Sequence, residues 1–166
     1  MMIPLRLALS PCRAVVWSLA TAALLIAAQP AAQAASTVRV DDSGTIVDQP
    51  VVAMRWRKPV PSRAQDNNVD AEIRVALRLN MAAFLNQPVR LFMGLAPVTG
   101  DPVSASWRTQ GRLLPGTVRS GGRTLIFNGV ASSARLEETI DMTLTTDGRN
   151  LATTQTLQFY FEVDLP

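Results

Sequence analysis

From about residue 37 onward the chain alternates apolar and polar positions with a period of two, the signature of strands with one buried face. The longest run sets Val69, Ile73, Val75, Leu77, Leu79 and Met81 against Asp70, Glu72, Arg74, Arg78 and Asn80, with Ala71 and Ala76 suited to either face. Val89, Leu91 and Met93 repeat the pattern, as do Ile140, Met142 and Leu144. A further run, Leu157, Phe159, Phe161, Val163 and Leu165, predicts a strand that feeds the core on one side and turns Gln158, Tyr160, Glu162 and Asp164 outward. Shorter strands are expected within Thr45–Trp56, Val103–Trp107, Arg112–Leu114 and Thr124–Phe127.

Turn residues punctuate these runs: Asp42-Ser43-Gly44, Pro115-Gly116, Ser120-Gly121-Gly122, Asn128-Gly129 and Asp147-Gly148 each supply or tolerate positive φ. Lys58–Asn68 reads as a mobile loop. No long helix is expected; Asn80–Leu85 holds helix formers, but alternation runs into it and Pro88 closes the space. Seven to nine short antiparallel strands in one domain predict an all-β, immunoglobulin-like sandwich, with a closed barrel as the alternative.

The first residues follow another logic. Arg6 and Arg13 precede an apolar run, Ala14–Ala28, and Ala32-Gln33-Ala34 offers small residues for cleavage. This is the plan of a secretory signal peptide, and the run falls short of the roughly 20 apolar residues of a membrane span. The expected division is a signal at 1–34 and a sandwich at 35–166. Export would place the product in the periplasm or on the surface of a Gram-negative bacterium, with no stable membrane span after cleavage.

Processing at residue 34 leaves 132 residues and removes two of the sixteen basic residues but no acid, so the net charge falls from +3 to +1. That near-neutrality argues against nucleic acid as a partner. The chain has no histidine, and its single cysteine, Cys12, lies in the signal. Ser-His and Cys-His nucleophile pairs are therefore closed to the mature protein, as are nitrogen- and sulfur-ligated metal sites. A serine–lysine dyad would need Lys58, the one lysine, which sits in a polar, proline-flanked loop. The reading is a non-enzyme with no cofactor and no metal.

Three stretches invite a site. Asp41, Asp42 and Asp48 cluster near Gly44, but acids are common in tight turns and the spacing is not that of an EF-hand. Adjacent Glu137 and Glu138 point to opposite faces of a strand, which argues against paired acid–base work and for an exposed strand start. Arg55, Trp56, Arg57 and Lys58 could form an anion- or carbohydrate-binding edge; by period two, Met54 and Trp56 instead face the core and the arginines the solvent.

Ser36–Val40 (STVRV), directly after the expected cleavage point, together with Leu157–Leu165, resembles the plan of a chaperone–usher fimbrial subunit. The resemblance implies an immunoglobulin-like sandwich whose N-terminal extension fills a neighbour's groove, beside a strand where an assembly chaperone docks. It makes Val38, Val40, Leu157, Phe159, Phe161 and Val163 candidate interaction residues, and other envelope proteins the candidate partners. The expected function is an exported structural or assembly protein acting through strand edges, with a binding module using Arg55, Trp56 and Arg57 as the alternative.

Overall fold

A computed structural model of the chain describes residues 36–58, 66–150 and 155–165. The expected signal and most of the expected Lys58–Asn68 loop lie outside the described residues. Among the described residues ten strands occur in chain order: β1 Thr37–Arg39, β2 Ile46–Val47, β3 Arg55–Trp56, β4 Asn68–Asn80, β5 Pro88–Leu95, β6 Ser104–Thr109, β7 Gly116–Arg119, β8 Arg123–Val130, β9 Arg135–Asp147 and β10 Phe159–Asp164. One sheet runs β1-β10-β5-β8; the other runs β2-β4-β9-β6-β7, with β3 also on β4. Every pairing is antiparallel.

The two sheets pack face to face as a β-sandwich, and the alternating residues meet between them. Leu77 and Leu79 of β4, Ile140 and Met142 of β9, Leu91 and Met93 of β5, and Phe161 and Val163 of β10 share one apolar core. Burying each such side chain is worth about 1.5–3 kcal/mol. No disulfide adds to this, because the chain has only one cysteine. The long pair β4–β9 is in register from Asn68↔Asp147 to Asn80↔Arg135, a ladder that forms the spine of its sheet.

Several local expectations need correction. Thr45–Trp56 forms two short strands rather than one, which accounts for a count above seven to nine. Arg112–Leu114 is not a strand but part of a loop whose conformation is set by a carboxylate from β9. Asn128-Gly129 does not reverse the chain; both residues lie inside β8, opposite Arg90 and Val89. The chain passes from β8 to β9 only after it, at 131–134, and the turn before β5 is made by Asn86, at φ 61° after a single 3-10 turn, Ala82–Phe84. Asparagine tolerates that left-handed region better than most residues. Gly121, at φ 81°, turns β7 into β8 as its turn signal predicts.

The β7–β8 connection also closes one side of the sandwich. Its two strands belong to different sheets, so the chain steps between layers within Ser120–Gly122. Leu114 N–H donates to the Ile126 carbonyl and Thr124 Oγ1 to the Thr117 carbonyl, tying the layers at this edge. Trp107 is buried there, and its Nε1 donates to the Leu114 carbonyl at 2.9 Å.

Candidate functional site at the open seam

The opposite side is built differently. There the chain leaves β1, passes Val40, which is buried, and crosses to the other sheet, where Asp41 bridges to Asn80. Only the short β2 and β3 then accompany β4, with Asp48 to Met54 between them. β10 is covered on this side by β1 alone: Thr37, Val38 and Arg39 pair with Asp164, Val163 and Glu162. Val40 N–H donates to the Phe161 carbonyl and Leu165 N–H to the Ser36 carbonyl, extending the contact by one bond at each end. Phe159 and Tyr160, at the start of β10, have β5 on one side and no strand on the other among the described residues.

Between β10 and β4, beneath Asp48–Met54, lies a partly open cavity of about 750 Å³. Its walls come from both sheets: Ile73, Val75, Met142, Met93, Phe159 and Phe161 are representative. Protein interiors are normally packed as densely as organic crystals, so a space of this size is a property of the fold rather than ordinary imperfection. The segment above it packs Val52 and Met54 against the core and has few backbone ties among the described residues. Its strand-like tie is Asp48 N–H to the Arg74 carbonyl, and Val51 projects outward, 87% exposed.

The structure brings together part of the set expected from sequence. Val38, Val40, Phe161 and Val163 meet along β1–β10, and Phe159 and Leu157 continue that line half-buried into the cavity wall. Arg55, Trp56 and Arg57 stand apart, at the edge of the other sheet. Trp56 does not enter the core; it is 43% exposed and caps the sandwich end, lying against Gly148 and Val69. Arg55 is exposed opposite Asp70.

Arg57 is engaged within its own chain. Nε and Nη2 donate to the two oxygens of Asp70 at 2.7 and 2.8 Å, and Nη1 donates to Asp66 at 3.1 Å. Thr145 Oγ1 donates to the same Asp70. The guanidinium, then the Thr145 hydroxyl, holds the Asp70 carboxyl below the ordinary carboxylate range, and Asp70 in turn raises Arg57. The fork pins β3 to β4 and leaves Arg57 little capacity for an external anion.

On the outer face of the small sheet, Tyr160 lies flat over Gly94, where any side chain would collide with its ring. Arg39 sits 4.8 Å from that ring, a cation–π contact between β1 and β10. Asp164 accepts from Arg123 at 3.0 and 3.1 Å and from Thr37 Oγ1 at 2.7 Å, so its carboxyl is held low. The Thr37 and Arg39 contacts, both partly exposed, add to the backbone pairing that holds β1 on β10.

Of the other candidates, Asp41 accepts the Ser43 N–H in a local turn, which lowers its pKa. Among the described residues no group of three or more acidic, histidine or cysteine side chains could hold a metal ion. Glu138 is not an exposed strand residue. It follows Leu136 onto the inner face of β9 and accepts hydrogen bonds from Thr109 Oγ1 and from the N–H groups of Gly111, Arg112 and Leu113. The alternation Leu136, Glu138, Ile140 already carried that signal.

The cavity was not legible in the sequence. Its one hint was the absence of alternation in Pro50–Met54 beside methionines at 54, 93 and 142. No protein-family model matches this chain, and neither does any curated protein or solved structure.

Proposed function

We propose that this is an exported, non-enzymatic structural or assembly protein that meets its partners by strand addition at the outer edge of β10. The observation that carries the reading is the shortness of the cover on that edge. β1 is three residues long, wholly exposed, and among the described residues no strand lies on the outer edge of β10 at Phe159 and Tyr160. An unpaired strand edge offers backbone donors and acceptors to any extended segment, and strand addition is a recurrent mode of assembly.

The segment that pairs with β10 is the one that would begin the processed protein. In a chaperone–usher subunit the corresponding extension serves a neighbour, so the same pairing formed between two copies would propagate an assembly. A minor fimbrial subunit is the finer form of this reading. The rival, a binding module using the Arg55–Arg57 edge, draws less support because Arg57 is already held by Asp66 and Asp70.

Strand exchange can be read by disulfide trapping. Arg39 and Glu162 are register partners across β1 and β10. One chain carrying Arg39→Cys and a second, differently tagged chain carrying Glu162→Cys are co-expressed from full-length genes. A disulfide joining the two tags is expected if β1 of one copy reaches β10 of another. Only uncrosslinked chains, alongside efficient internal closure in the Arg39→Cys, Glu162→Cys double variant, would show that β1 stays with its own chain and would end the exchange reading.

A further inference from the structure

We infer that the cavity at the open seam is a binding site for a single-chain aliphatic molecule with an uncharged hydrogen-bonding head. This goes beyond assembly at the β10 edge and does not depend on β1 exchanging between copies.

Size is the first argument. Small-molecule sites occupy about 300–1,000 Å³ and are mostly apolar with a few polar groups, and this one holds about 750 Å³. At about 30 Å³ for each water-sized group, that volume takes roughly 25 non-hydrogen groups. One aliphatic chain with a small head fits; a lipid with two long chains does not.

Chemistry of the wall is the second. The deep surface is aliphatic, aromatic and thioether, with Ile73, Val75 and Leu144 opposite Phe159 and Phe161. Met54, Met93 and Met142 line it too, and methionine adapts its shape to irregular apolar occupants. Water in such a space would find few partners, so an apolar occupant gains by displacing it.

Charge at the rim is the third. Among the described residues lining the cavity, Asp42 is the only ionisable one; Gln49, Gln155, Gln158, Thr156, Thr45 and Thr146 supply other polar side chains. Among the described lining residues an anionic head would meet no arginine or lysine and would face Asp42. Amide and hydroxyl groups can instead donate to and accept from an uncharged alcohol, ester or amide. Above the mouth, Asp48–Met54 has few backbone ties among the described residues and can admit a chain without unpairing β4 from β9.

The test uses protein purified after expression of the full-length gene. N-phenyl-1-naphthylamine, a neutral apolar fluorophore, is titrated in and then displaced with monoolein, stearate, phosphatidylglycerol and a Ser36–Val40 peptide. Saturation at one fluorophore per chain and displacement by monoolein ahead of the other three are expected. Val75→Phe and Ile73→Phe each add volume into the cavity from β4. They should weaken monoolein at least about tenfold, a loss of about 1.4 kcal/mol, while the melting transition is kept or raised.

Absence of saturable fluorophore binding by the wild type would overturn the site. Unchanged affinity in either folded variant would overturn its location. Stearate or phosphatidylglycerol binding as tightly as monoolein would overturn the assigned ligand class. Displacement by the peptide in place of monoolein would make the occupant a strand and overturn the small-molecule assignment. If both variants fail to fold, the wild-type competition series still decides.

Discussion

The two sides of the sandwich are made from the same kind of alternating sequence, yet one is sealed and the other is open. At the sealed side the chain steps directly from β7 to β8, so each sheet's edge residue is also the other's neighbour. Trp107 fills the layer beneath, and Glu138 fixes the adjoining loop by accepting from consecutive backbone N–H groups. At the open side the chain crosses early, at Val40–Asp41, and again between β9 and β10, where residues 155–158 line the cavity, and β2 and β3 are too short to lean across the gap. Closure is therefore decided by what travels between the sheets, and alternation within each strand is silent about it.

Truncation should separate the two sides most sharply. Trp107→Ala removes a buried aromatic and leaves the Leu114 carbonyl unpaired, and is expected to cost about 3–5 kcal/mol. Phe159→Ala, on the wall of a space that is already empty, should cost about 1–2 kcal/mol, because the lost side chain was half-buried and opens little new void. Urea unfolding of both variants measures the difference. Equal losses would mean that the seam is packed as tightly as the sealed side.

A smaller effect is expected from the half-buried Glu138 carboxylate. Glu138→Ala should destabilise by about 2 kcal/mol, since Leu113 is buried and its N–H loses its acceptor. Glu138→Gln, which keeps one acceptor oxygen, should lose about half as much on the same hydrogen-bond scale. Chemical denaturation of the pair tests whether the loop depends on acceptor geometry.

Arg57→Ala should be milder still in global stability, at about 1 kcal/mol or less, because the fork with Asp70 is partly exposed and screened by salt. Its signature is local. Amides of Asp48–Arg57 should exchange with deuterium faster, while those of β4 paired with β9 keep their protection. Protection lost equally across β4 would show that the edge and the spine open as one unit.

The gentlest probe is pH. Asp147 is held at about 2 by Arg149, first through its side chain and then through its backbone N–H, and Asp70, Asp66 and Asp164 are also lowered by their arginine or backbone donors. A carboxyl with a depressed folded pKa contributes stability above its unfolded value and loses it as pH falls through the folded one. Melting temperature should thus decline from about pH 4 toward pH 2, following the ordinary carboxylate values of the unfolded chain. With no histidine in the chain, it should stay nearly flat from about pH 5 to pH 8. A step near pH 6 would contradict this account.

Much of the fold was legible because burial on one face imposes a period of two. β4, β9 and β10 stand where their alternation placed them, and Phe161 and Val163 enter the core as their phase requires. Where reading failed, a tertiary partner overrode a local preference. Asn128-Gly129 is a strong reversal signal, but β5 continues alongside it and draws the dipeptide into the ladder. Trp56 has the correct phase for the core and lies at its rim, because β3 ends where the sandwich does. The candidate site was half visible. Its β10 wall was named from the sequence, while its β4 and β9 walls looked like ordinary core.

Local order along each strand, the missing cysteine pairing and histidine chemistry, and the inward phase of Leu157–Leu165 are properties of residues and their nearest neighbours, so the sequence carries them unaided. Which strand lies beside which, that Val38 pairs with Val163 in the same chain, and that a space remains between β10 and β4 depend on contacts distant in sequence. Those emerge only when two sheets with fixed strand lengths are laid face to face, because the gap between their edges belongs to neither sheet alone.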